Sequence, residues 1–224
     1  MNPVFQTNPI ATVHGINDAY TQDELLRQIK DPVLDPRIPI EQAIDNLPLE
    51  GGVVRLGSYT YFSRGTITVD RNNVSIIGNS RTLISNTLTT GTILHVTGSD
   101  FGLSDVRLYD NSTSYAITVT GDRARITNVI FEDVGGMLQT DGSDHLVFKC
   151  CRSDTVDPAT YLVELKASNY ATVMGNIING GSTGIYADDS STRSIYVGNN
   201  CPNGISYKGA SNTNAGNIGT VTVR

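Results

Sequence analysis

The stretch Gly184-Ile185-Tyr186-Ala187-Asp188-Asp189-Ser190-Ser191-Thr192-Arg193 sets two adjacent carboxylates just ahead of a guanidinium. Two chemistries use such groups. Glycoside hydrolysis needs two carboxylates held at a set separation across a sugar, one as acid and one as base or nucleophile. A polysaccharide lyase needs clustered carboxylates for Ca²⁺ and a basic residue to take the proton. Asp188, Asp189 and Arg193 form the candidate catalytic set, and Asp141 and Asp144 the candidate metal ligands. His95 and His145 fall in or beside expected strands and read as satisfied surface or core histidines. The tyrosines, among them Tyr115, Tyr161, Tyr170 and Tyr186, suit either sugar stacking or a subunit interface.

Repeats decide which elements hold these residues. Short β-branched runs alternate with Gly, Asn, Asp and Ser from about Gly51 onward, and no long helix interrupts them. Apolar anchors at Ile93, Ile117, Leu138, Val163, Ile185 and Ile205 advance by 24, 21, 25, 22 and 20 residues. A second series, Leu103, Ile126, Phe148, Val173 and Val197, advances by 23, 22, 25 and 24. Two interleaved series with one period mean stacked coils, each contributing at least two strands in fixed order. A propeller blade needs a period of about 40 residues, and no leucine-rich frame is present. The expected fold is all-β, a right-handed parallel β-helix of about seven coils spanning some 35 Å.

That fold offers an inert explanation for the acidic residues. Asp141, Lys166, Asp188 and Lys208 each fall three residues after an anchor and so share an outward column, an alternating acid–base ladder. The same stripe suits contact with a neighbouring subunit. Asp105, Asn128, Cys150, Asn176 and Asn199 follow the second series by two or three residues, where they can adopt left-handed turns and bond from coil to coil. Cys150 and Cys201 lie about two coils apart, too far for a disulfide, so free thiols are expected.

The rest of the chain bounds the partners. Residues 1–38 are polar and proline-punctuated, with one short helix near Gln22–Ile29, and read as a docking arm ahead of the β-helix domain 39–224. Ile40–Leu47 puts Ile40, Ala43, Ile44 and Leu47 on one helical face, a lid for the first coil. The 224 residues carry a net charge of −6, which argues against a nucleic-acid partner. No apolar run reaches the roughly 18 residues of a membrane span. The first residues show no secretory signal, and the odd cysteine count has no metal spacing, as expected for assembly in a reducing cytoplasm.

The segment Ile40-Glu41-Gln42-Ala43-Ile44-Asp45-Asn46-Leu47-Pro48-Leu49-Glu50-Gly51-Gly52-Val53-Val54-Arg55-Leu56-Gly57-Ser58-Tyr59, followed by Ile67-Thr68-Val69 and Val74-Ser75-Ile76-Ile77-Gly78-Asn79, resembles the N-terminal signature of the pectate-lyase-like superfamily. That group includes pectate lyases, polygalacturonases and phage tailspikes. The resemblance is specific over about residues 37–80 and departs at Leu56-Gly57-Ser58-Tyr59, where members carry Pro-x-Gly-x-Tyr. The Asp188-Asp189 pair is similar to that of polygalacturonases, but their Asn-Thr-Asp, Gly-His-Gly and Arg-Ile-Lys motifs are missing. With those motifs missing, the polar arm, the absent secretory signal and a stack only some 35 Å long point to a non-enzymatic virion protein, a homotrimer assembled in the host cytoplasm. It would decorate a capsid or form a tail appendage, held to a major capsid or tail protein through residues 1–38, with no cofactor. The alternatives are a β-helical polysaccharide depolymerase and a non-catalytic module for a host surface polysaccharide.

Overall fold

The computed structural model describes residues 34, 39–63, 65–86, 91–154 and 160–224. Over these residues the chain winds as a right-handed parallel β-helix with three faces. The first face stacks Gly52–Arg55, Val74–Ile77, Gly102–Ser104, Arg125–Thr127, Val147–Lys149, Thr172–Met174, Ile195–Val197 and Thr213–Ala215. The second stacks Thr60–Ser63, Leu83–Asn86, Arg107–Asp110, Ile130–Glu132 and Arg152–Asp154, and single bridges carry it on through Ile177, Asn200 and Ile218. The third stacks Ile67–Val69, Leu94–Val96, Tyr115–Val119, Gly136–Asp141, Tyr161–Lys166, Thr183–Ala187, Ile205–Tyr207 and Val221–Val223. Ladders of eight strands on two faces are close to the expected seven coils.

Alternation along each strand builds the core. On the first face Ile76, Leu103, Ile126, Phe148, Val173 and Tyr196 are register partners in one inward column, each at most 1% exposed. Tyr196 therefore replaces Val197, the expected anchor of that coil. On the third face Leu94, not Ile93, pairs with Ile117, whereas Leu138, Val163, Ile185 and Ile205 hold the expected register. Both corrections are one-residue slips beside another apolar residue, and because Ile93 and Leu94 are both fully buried, sequence spacing cannot tell which takes the register position.

The corners bend through left-handed residues stacked coil upon coil. Between the third and first faces stand Asn73, Asp100, Arg123, His145, Tyr170, Arg193 and Ser211, with φ between 56° and 60°. A non-glycine residue there costs roughly 1–2 kcal/mol, and the strand pairings on either side offset it. Between the first and second faces the left-handed residues are Asp105, Asn128, Cys150, Gly175, Gly198 and Gly216.

The first coil is lidded as its sequence suggests. The helix runs Ile40–Asp45, shorter than 40–47, and buries Ile40, Ala43 and Ile44, with Leu47 continuing the same apolar face. Arg71 closes its C-terminus by donating to the carbonyls of Ile44 at 2.9 Å and Leu47 at 2.7 Å. Gly51, at φ 97°, makes the entry to the first strand, where a Cβ would lie 2.4 Å from the Asn73 carbonyl oxygen. Leu34 bridges in parallel to Leu56, and Tyr61, 2% exposed, donates its hydroxyl to the Leu34 carbonyl at 2.8 Å. The remainder of the expected arm, including its helix near residues 22–29, lies outside the described residues.

Candidate functional site

Asp188 directly follows the third-face strand Thr183–Ala187, and its carboxylate is occupied. It accepts from the Ala167 backbone N–H of the preceding coil at 3.2 Å and from the Ser191 hydroxyl at 2.7 Å. Asp189 is exposed in the turn that follows. Arg193 stands at the next corner, where it lies 5.6 Å from the Tyr170 ring centroid and donates to the Tyr170 hydroxyl at 3.2 Å. Among the described residues it forms no ion pair with Asp188 or Asp189.

The candidate metal ligands sit on either side of one turn, in different surroundings. Asp141 is exposed at a strand end, in register with Lys166. Asp144 sits just before the corner residue His145, where its Oδ1 accepts from the Asn169 backbone N–H at 2.8 Å and side-chain amide at 3.1 Å. No group of three or more His, Cys, Asp or Glu side chains suited to a metal occurs among the described residues.

The acid–base column of Asp141, Lys166, Asp188 and Lys208 exists as a row of outward positions, but its charges do not pair along it. Lys166 turns along its own strand to Glu164, Nζ to Oε2 at 3.3 Å, while Asp188 is held by the Ala167 N–H and the Ser191 hydroxyl. A backbone donor in a fixed turn outcompetes a flexible lysine, whose ion pair with a half-exposed carboxylate stabilises by little.

Glu164 is the centre that the sequence did not announce. It points outward from the third face, two positions before Lys166's column, yet is only 7% exposed. Its Oε2 accepts from the Tyr115 hydroxyl at 2.9 Å, the Gln139 amide at 2.6 Å and Lys166. Tyr115 reaches it across two coils because Gly136 lies beneath its ring, where a Cβ would come within 2.4 Å. Burial, reinforced by the Glu164 charge, pushes the Tyr115 phenol far above its ordinary value and keeps it a donor. Three donors converge on one oxygen, and Oε1 has no hydrogen-bond partner among the described residues. Beside the carboxylate, Tyr161 and Tyr186 stack at 4.2 Å, with Lys208 Nζ 6.0 Å above the Tyr186 centroid. The signal was legible as a column one residue after each anchor: Gln139, Glu164 and Tyr186 follow Leu138, Val163 and Ile185.

The remaining expectations divide. His95 is bonded to the Thr118 hydroxyl at 2.8 Å, and His145 stacks on Tyr170 at 4.8 Å. Cys150, Cys151 and Cys201 are free thiols, and burial pushes those of Cys151 and Cys201 up to about 12. The coil-to-coil ladder is present: Asn176 and Asn199, both fully buried, bond to each other, and Asn199 bonds to Asn217. Asn176 and Asn199 are not the left-handed residues, however. Gly175 and Gly198 take that geometry one position earlier and free the asparagines to turn inward.

No family model matches the chain, and no curated protein matches it. Solved structures share its architecture. A protein of Parabacteroides merdae ATCC 43184 assigned to the glycosyl hydrolases aligns with TM-score 0.58 and 10% identity, over 71% of this chain and 85% of that one. The catalytic domain of a GH87 α-1,3-glucanase in complex with nigerose aligns with TM-score 0.53 and 12% identity, over 81% of this chain and 35% of that one. At such identities the likeness is one of fold alone.

Proposed function

We propose that the chain is a non-enzymatic β-helical component of a virion, a capsid-decorating or tail-appendage protein anchored by residues 1–38 and assembled as a homotrimer. The observation that carries this reading is the use made of the carboxylates. Asp188 and Asp144 are spent as acceptors for backbone N–H groups of neighbouring coils, which leaves neither positioned by its surroundings for proton transfer. The resemblance of residues 37–80 to a superfamily that includes phage tailspikes supports the virion setting. Incubation of the full chain with acidic and neutral polysaccharides tests the reading. No new reducing ends and no ultraviolet-absorbing unsaturated products are expected, and time-dependent release of either overturns it.

The free Oε1 of Glu164 favours a second reading, saccharide engagement on the third face. Asp141, a neighbouring exposed carboxylate, lies one coil away and two positions along, roughly 8 Å away between Cα atoms. If cleavage is detected, its loss in Glu164→Gln and Asp141→Asn, with retention in Asp188→Asn, assigns it there.

A further inference from the structure

We propose that the Asn179–Gly180 peptide is a site of spontaneous deamidation in the folded protein, and that Asn203–Gly204, one coil on, is held inert by its hydrogen bonds. The two are the only Asn-Gly pairs in the 224 residues. Asparagine is a thermolabile side chain, and a glycine after it has no Cβ to crowd the approach of its backbone nitrogen to the asparagine amide. In the reaction the Gly180 nitrogen attacks Cγ of Asn179. A C–N bond forms, the Cγ–Nδ2 bond breaks, and the displaced proton leaves with the amide as ammonia. Water then opens the cyclic imide at either carbonyl, which yields aspartate or isoaspartate. One water enters and one ammonia departs, so no oxidant, reductant or enzyme is required.

Hydrogen bonding separates the two sites. The Asn179 side chain is exposed, and among the described residues neither its amide nor the Gly180 N–H has a hydrogen-bond partner. Asn203 is exposed too, but its Nδ2 donates to the carbonyls of Gly180 at 3.1 Å and Gly181 at 2.6 Å. Its attacking nitrogen is also engaged, the Gly204 N–H donating to the Cys201 carbonyl at 2.8 Å. Asn203 must break these three bonds before it can react, whereas the reacting groups at Asn179 break none. Position gives the reaction a consequence. The buried Ser153 hydroxyl accepts from the Asn179 N–H and donates to the Asn179 carbonyl, both at 2.8 Å. Isoaspartate takes that carbonyl off the main chain and inserts a methylene ahead of the Gly180 and Gly181 carbonyls. It thereby loosens the coil-to-coil contact that protects Asn203.

Peptide mapping by mass spectrometry on the full chain, aged in mildly alkaline buffer, tests the proposal. Trypsin cleaves after Arg193 and places the two asparagines in different peptides. The folded protein is expected to gain one mass unit at Asn179 at least tenfold faster than at Asn203, with isoaspartate at position 179 detected by methyltransferase labelling. In concentrated urea, where the hydrogen bonds are gone, the two rates are expected to converge. Asn179→Gln should abolish the gain at that position. Asn179→Asp, which adds the charge without lengthening the backbone, should melt with fresh wild type, and aged wild type should melt below both. An unmodified Asn179, a folded-state preference that urea leaves unchanged, or an aged protein that melts with the fresh one overturns the proposal.

Discussion

Two corners of the helix perform the same task with different chemistry. Between the first and second faces, fully buried Asn176 and Asn199 accept backbone N–H bonds from neighbouring coils through Oδ1 and donate through Nδ2 to the carbonyls of Phe148 and Val173. Between the third and first faces, half-buried Asp122, Asp144 and Asp188 accept backbone N–H bonds with carboxylates, in a row they share with the half-buried amides of Asn169 and Asn212. The difference follows from solvation. A carboxylate at a half-exposed corner keeps part of its hydration while it binds an N–H. A fully buried corner has carbonyls to satisfy as well as N–H groups, and only the neutral amide does both without desolvating a charge. Asp110 departs from this rule. It is fully buried, with Oδ2 accepting from the Ser112 hydroxyl at 2.6 Å and Oδ1 without a hydrogen-bond partner, and burial raises its pKa.

Exchanging amide for carboxylate at each place sharpens or breaks the contrast. The largest effect is expected for Asn176→Asp, which removes two donated bonds and sets a charge against the Asn199 carbonyl oxygen. A loss of about 3 kcal/mol, or roughly 6–12 °C in Tm for a chain of this size, should appear in a calorimetric melt. A change below 1 °C would break the contrast.

Asp110→Asn is expected to act in the opposite sense, raising stability by about 1 kcal/mol at pH 7. The sign follows from linkage. Because the folded carboxyl titrates above its unfolded value, the wild type loses stability as pH rises from the unfolded pKa through the folded one. The variant's advantage should therefore be present at neutral pH and vanish in urea titrations near pH 3.

Asp144→Asn keeps the Oδ1 acceptor at a half-exposed corner and should stay within about 0.5 kcal/mol of wild type, whereas Asp144→Ala, which loses that acceptor, should cost about 1–2 kcal/mol. Equal losses in the two variants would mean that charge, not hydrogen bonding, holds that corner. The smallest effect is expected for Arg193→Ala, whose exposed contact with Tyr170 should be worth under about 0.5 kcal/mol. Chemical denaturation resolves it from zero only if the contact is stronger than its exposure suggests.

The period was legible because β-solenoid coils repeat their inward residues at nearly constant spacing, and the columns through Ile117, Leu138, Val163, Ile185 and Ile205 follow it without error. Register failed only at Ile93 and Val197, where an adjacent apolar residue, Leu94 or Tyr196, takes the register position. Glu164 escaped notice for a different reason. Its neighbours Tyr115, Gln139 and Lys166 come from three coils, and it took a glycine at 136 to let a tyrosine lie flat enough to join them.

The sequence by itself determined the stacking, the lid and the turns, because these depend on local patterning repeated from coil to coil. Only the tertiary structure decided what the acidic residues do. Whether a carboxylate meets an amide N–H, a lysine or open solvent depends on which groups neighbouring coils deliver within about 3 Å. That choice turned Asp188 into a cap and Glu164 into a centre.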